Sequence, residues 1–132
     1  MRDVVRTRSV PQIIVSNADY ERLTDLANAS LERLPDVARE LLEEMDRAQV
    51  VEADAVPANV VRMGSTVTFK SDDGHTRTLT LVYPAHESLD QHHISVMTPV
   101  GAALIGLAEG QSISWTARDG RRHELTVVKV KA

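Results

Sequence analysis

The 132-residue chain has no cysteine. Disulfide scaffolds, thiolate nucleophiles and cysteine-ligated metal sites are therefore excluded, and a reducing compartment suits it. Aromatic residues are almost as scarce: Tyr20, Phe69, Tyr83 and Trp115 are the whole set. So few rings leave little material for a pocket walled by aromatics. No run approaches the ~18 apolar residues of a membrane span, and the opening MRDVVRTRSV lacks the apolar stretch of a secretion signal. The expectation is a cytoplasmic protein with no membrane partner. The glycines form neither a P-loop nor a dinucleotide fingerprint, because Gly101 and Gly106 lie within or beside a helix and do not precede one.

Hydrophobic residues make up 42% of the chain, enough to bury one core. A net charge of -4 argues against tight, independent nucleic-acid binding, which draws on a phosphate-neutralising surface. That charge is unevenly spread. Residues 17–56 hold eleven acids and four bases, whereas the remainder holds eight acids and eleven bases. The asymmetry points to two modules with different tasks.

Residues 1–10 show no periodicity and read as a frayed tail. PQIIV is a short extended segment that ends at Ser16-Asn17, both good helix caps. Tyr20, Leu23, Ala27 and Leu31 then recur on one helical face, a loop near Leu34-Pro35 interrupts, and Asp36 is placed to cap a second helix. Val37 or Ala38, Leu41, Met45 and Ala48 form its stripe. The two helices predict an antiparallel hairpin over 11–56, and the acidity of its outer faces favours a projecting finger over a cover for the sheet. ADAVPANVV reads as a linker.

Residues 57–132 read as a mostly antiparallel sheet domain with one short helix. Val67 and Phe69 alternate with polar residues up to the turn Asp72-Asp73-Gly74, and Leu79, Leu81 and Tyr83 alternate on the return. A third strand is expected from His92 to Thr98, followed by a helix opened by Pro99. Gly101, Ala102 and Ala103 would let that helix lie close to the sheet. The last hairpin turns at Asp119-Gly120, and Val128 and Val130 break its parity, which predicts a bulge or a strand covered on both faces. The fold class is α+β.

Chemistry-bearing patterns are sparse. Adjacent His92 and His93 on one strand would face opposite ways, and no paired metal-ligand spacing occurs, so no metal or other cofactor is expected. Arg118, Arg121 and Arg122 flank an exposed hairpin tip. Glu32 and Asp36 lie on either side of the helical turn, where two carboxylates could share a divalent ion with a partner's carboxylates; the plainer reading is Asp36 as a cap and Glu32 in solvent.

The stretches GSTVTF, TLTLVYP and ISVMTPVGAALIGLAEGQSISW resemble the C-terminal domain of the Gre transcription-elongation factors. Gly64, Ser65, Val67, Leu81, Val82, Ile94, Ser95, Pro99, Gly101, Ala103, Leu104, Gly106 and Gly110 fall on that family's pattern in order. Leu81 to Ala85, Ser95 to Leu107 and Glu44 to Gln49 resemble more closely the regulator-of-nucleoside-diphosphate-kinase family, short relatives of the Gre factors, and the likeness spans nearly residues 11–131.

The resemblance implies an FKBP-like sheet domain that docks on bacterial RNA polymerase near the secondary channel. It implies a docking loop at Met97, Thr98, Pro99 and Val100, and a coiled-coil finger with Glu32 and Asp36 near its tip. Helices of roughly 13–15 residues reach only ~20 Å, short of a distant active centre, and the two acids lie outside the Gre tip motif. The expected protein is a monomeric, non-enzymatic regulator that competes with Gre factors without stimulating cleavage. The alternative is a direct or indirect regulator of nucleoside diphosphate kinase. A peptidyl-prolyl isomerase is disfavoured by the missing aromatics.

Overall fold

The computed structural model describes residues 11–132, so the expected tail at 1–10 lies outside the described residues. In chain order the elements are β1 (Ile14–Ser16), α1 (Asn17–Ala29), α2 (Pro35–Arg47), β2 (Gln49–Val51), β3 (Thr66–Ser71), β4 (Thr76–Val82), β5 (His93–Ser95), α3 (Pro99–Leu104), β6 (Ser112–Thr116) and β7 (Arg122–Lys131). This is an α+β protein with its helices ahead of a curled, mostly antiparallel sheet.

Ser16 caps α1 as its side chain predicts: Oγ accepts from the Asp19 N–H at 3.1 Å. Leu23 and Ala27 are buried, with Tyr20 packed beside them. The start of α2 differs from expectation. Leu34 is the N-cap, without a side-chain bond, and Pro35 takes the first helical position that suits its fixed φ. Asp36 therefore sits inside the first turn, where its charge complements the helix dipole and it caps nothing. β1 and β2 flank the helix pair and run parallel, with Val15 opposite Val50. Arg47, ion-paired with Glu44 at 2.5 Å, also donates to the Pro11 carbonyl and ties the helix end to the strand entry.

The main sheet has the order β5-β4-β3-β7-β6, antiparallel except for β5, which lies parallel to β4. The parity break is a bulge: Thr68 faces Lys129 but Phe69 faces Val127, leaving Val128 as the extra residue, 53% exposed. The third strand is shorter than expected. His92 closes a turn in the left-handed region at φ 59° and lies outside the strand, which ends at Ser95. The opposite-faces argument for His92 and His93 therefore does not apply.

The hairpin does not stand clear of the sheet domain. Val37, Ala38, Leu41 and Met45 share one apolar cluster with Leu104, Ile105 and Leu125, because α2 lies against α3 as well as against α1. Acidity marked only its outer face. On the other helix the Arg22 guanidinium lies 4.2 Å from the centre of the Tyr83 ring, at the end of β4. The linker is also anchored: the Val61 N–H donates to Leu107 at 2.8 Å, the Gly106 N–H to Val61 at 3.0 Å and the Ile14 N–H to Gly106 at 3.2 Å.

Leu41 is completely buried at this junction. Leu41→Ala is expected to cost about 3 kcal/mol, as for a large-to-small change in a core that cannot collapse. In urea, far-UV circular dichroism (mainly α1 and α2) and Trp115 fluorescence (the sheet) should report one coincident, shifted transition. Two separated transitions in the wild type would show that the hairpin folds apart from the sheet.

Candidate docking site

The step from β5 into α3 is fixed by short polar bonds. The Ser95 N–H donates to Glu87 Oε2 at 3.2 Å, and Ser95 Oγ accepts from the Met97 N–H at 2.9 Å. Thr98 Oγ1 donates to the Ser95 carbonyl at 2.7 Å and accepts from the Gly101 N–H at 3.1 Å, capping α3. Pro99 follows at the first helical position, where its lost N–H costs nothing.

These bonds turn Met97 inward. It is 4% exposed and belongs to the core, so it is not presented to a partner as the sequence led one to expect. Thr98, Pro99 and Val100 remain half-buried at the surface. Val100 borders a cleft of about 630 Å³ whose apolar wall includes Phe69, Leu79, Ile94 and Trp115. The aromatic count argued against such a cleft; two of the four rings, joined by aliphatic side chains, are enough to build it.

The polar rim is organised by two adjacent aspartates. Asp72 accepts from the Glu124 N–H at 3.0 Å and lies 3.4 Å from His123 Nδ1, linking the β3–β4 turn to β7. The His123 and Trp115 ring centres are 5.2 Å apart. Asp73 accepts from the His75 N–H and from the Arg77 guanidinium, and these bonds hold its carboxyl well below the usual carboxylate range.

Pro99 faces the other way, into a groove of about 430 Å³ between the helical turn and the β6–β7 turn. Leu34, Pro35 and Asp36 line one side, and Ala117 and Arg118 the other. The structure thus brings Asp36 beside Pro99, while Glu32 is exposed in the turn and does not line the groove. Glu40 also borders it; burial, then Glu43 and Asp36, push its carboxyl above the ordinary value against a smaller opposing pull from Arg122. Among the described residues no group of three or more histidine or acidic side chains is placed to hold a metal ion. No described helix is long and apolar enough to cross a membrane.

The cleft was the feature that the sequence concealed. Strand parity put Phe69, Leu79 and Trp115 on single faces, but nothing local showed that these faces converge beside Val100. The arrangement, an apolar floor with a polar rim, suits reception of a protruding apolar side chain.

A helical hairpin packed on a curled sheet that grips a Pro-started helix gives the chain a fold of the GreA/GreB type. A chain of that type from Nitrosomonas europaea aligns with a TM-score of 0.73 and 35% identity, over 92% of this chain and all of that one. Residues 56–132 match the family described as transcription elongation factor GreA/GreB, C-terminal, and residues 11–51 match the Rnk N-terminus. The regulator of nucleoside diphosphate kinase of Escherichia coli strain K12 is 40% identical over 124 residues, 93% of this chain and 91% of that protein. GreA of Rhodospirillum rubrum is 36% identical over 63% of this chain but only 54% of its own length. The chain belongs to the regulator-of-nucleoside-diphosphate-kinase family, whose C-terminal half is the GreA/GreB domain.

Proposed function

We propose that the chain is a non-enzymatic transcription regulator that binds bacterial RNA polymerase near the secondary channel, using the Thr98-Pro99-Val100 step and the apolar cleft beside it. The observation that carries the reading is the placement of Val100 on the wall of that cleft, at the position where the Gre resemblance puts the docking loop. The C-terminal half is read as an FKBP-like domain, a curled sheet around α3. The hairpin has helices of only 13 residues and lies against α3, so it carries no acids to a distant active centre. The protein then competes with Gre factors for the polymerase and leaves transcript cleavage unstimulated. It acts as a cytoplasmic monomer without a cofactor. The second reading, a regulator of nucleoside diphosphate kinase through protein contact, draws on the name of the Escherichia coli relative.

The test is a competition titration in which this protein displaces a labelled Gre factor from core RNA polymerase. Displacement is expected at micromolar or lower concentration. Val100→Asp should raise the concentration needed by tenfold or more while leaving the melting temperature within a few degrees, because an acid in the first turn of a helix is tolerated. No displacement by the folded wild type would overturn polymerase docking and turn the search to the kinase.

A further inference from the structure

The face of the main sheet turned away from α3 has a composition of its own. Strand register places Thr66 opposite Thr80, Thr68 opposite Thr78 and Ser112 opposite Thr126, and each pair of hydroxyls is bonded, at 2.9, 3.0 and 2.6 Å. The same register sets Lys131 beside Thr66, Lys129 beside Thr68 and Lys70 beside Thr126, all three lysines exposed. Lys129 and Lys131 are two residues apart along one strand, about 7 Å at the usual rise. Glu124 is the one carboxylate within the strands of this sheet, and Glu109 lies against the β7 edge, where it accepts from the Val130 N–H at 2.8 Å. The acids of residues 17–56 belong to the hairpin and the segment just after it, and the hairpin packs on α3, on the other side of the sheet. A protein of net charge -4 thus carries a face that is positive and rich in hydroxyls.

We infer that this outer face is a contact surface for the phosphodiester backbone of double-stranded nucleic acid. Lysine ammonium and serine or threonine hydroxyl groups are the side chains that hold phosphate oxygens without reading sequence. A protein partner would need an apolar anchor at the centre of its interface, and the face offers only Val128. A single strand would need aromatic platforms for its unstacked bases, and Phe69 and Trp115 line the cleft on the other side. A duplex keeps its bases stacked and presents phosphates alone. The surface shares only Thr78 with the lining of the proposed polymerase-docking cleft, and its lysines lie outside that cleft.

Fluorescence anisotropy with a labelled duplex DNA of arbitrary sequence tests this. At about 50 mM salt the wild type should bind in the non-specific range of roughly 10⁻⁴–10⁻⁶ M, with a log–log salt slope near -2.7 for three phosphate contacts. Lys129→Ala should reduce that slope by about 1. The combined Lys70→Glu, Lys129→Glu, Lys131→Glu variant should lose binding while melting like the wild type, and Arg118→Glu with Arg121→Glu in the β6–β7 turn should bind as before. The proposal is overturned by absent binding, by loss only in the turn variant, by tighter binding of a single strand of equal length, or by equal binding of polyglutamate.

Discussion

Gly101→Ala is expected to lower the melting temperature by about 15 °C, although alanine is normally the better helix residue by ~1 kcal/mol. Gly101 is the exception among the glycines: it has no positive φ, so backbone freedom is not what the position requires. What it requires is space. A Cβ there would meet the Ser95 carbonyl oxygen at 2.3 Å and the Val96 Cα at 2.9 Å. Both obstacles are backbone, and the Val96 N–H is bonded to the Val82 carbonyl at 2.9 Å, so neither yields by a rotamer change. The alternative is to lift α3, which drags Ala102 and Leu104 out of a core where they are 1% and 0% exposed. Overpacking costs about 1–3 kcal/mol when side chains can adjust; against fixed backbone we expect about 4 kcal/mol. At roughly 4 °C per kcal/mol for a chain of this size, that gives the stated drop. Calorimetry of the variant decides the matter, and a melting temperature within about 3 °C of wild type would show that α3 can stand off from β5.

That close approach was legible in the sequence, because Gly101-Ala102-Ala103 beside a Pro-started turn has no better explanation than a helix pressed on a sheet. The alternating strands, the turns at Gly74 and Gly120 and the parity break at Val128 were legible for the same reason: period two and turn chemistry are local properties. The docking of α2 was written in the stripe Val37, Leu41 and Met45, but the acidic outer face drew the reading toward a free finger. Charge on one face says nothing about what covers the other. The start of α2 turned on a competition between Asp36 as cap and Pro35 at the first helical position, and the proline's fixed φ decided it. Other features have no local signature. The parallel pairing of β5 depends on a crossover through the Pro84–Gln91 segment, and the cleft joins side chains of β3, β4, β5, α3 and β6.

Met97→Asp separates core from surface at the candidate site. Read from the sequence, this substitution would weaken docking and spare the fold. In the structure the side chain is 4% exposed among apolar neighbours, and its orientation is set by the bond from its own N–H to Ser95 Oγ. An aspartate there would bury a carboxylate with no cation assigned to it, at a cost of several kcal/mol whether it stays charged or takes up a proton. We expect a loss of about 4 kcal/mol and a melting temperature lower by about 15 °C. Met97→Leu keeps volume and polarity and should cost less than about 1.5 kcal/mol. Polymerase competition per folded molecule should then be unchanged in Met97→Leu, while Val100→Asp, whose melting is preserved, should compete poorly. The contrast assigns docking to the side of the loop that carries Val100 and assigns Met97 to the core. If Met97→Asp instead melted within a few degrees of wild type, position 97 would have to swing outward, and the docking surface would include it after all.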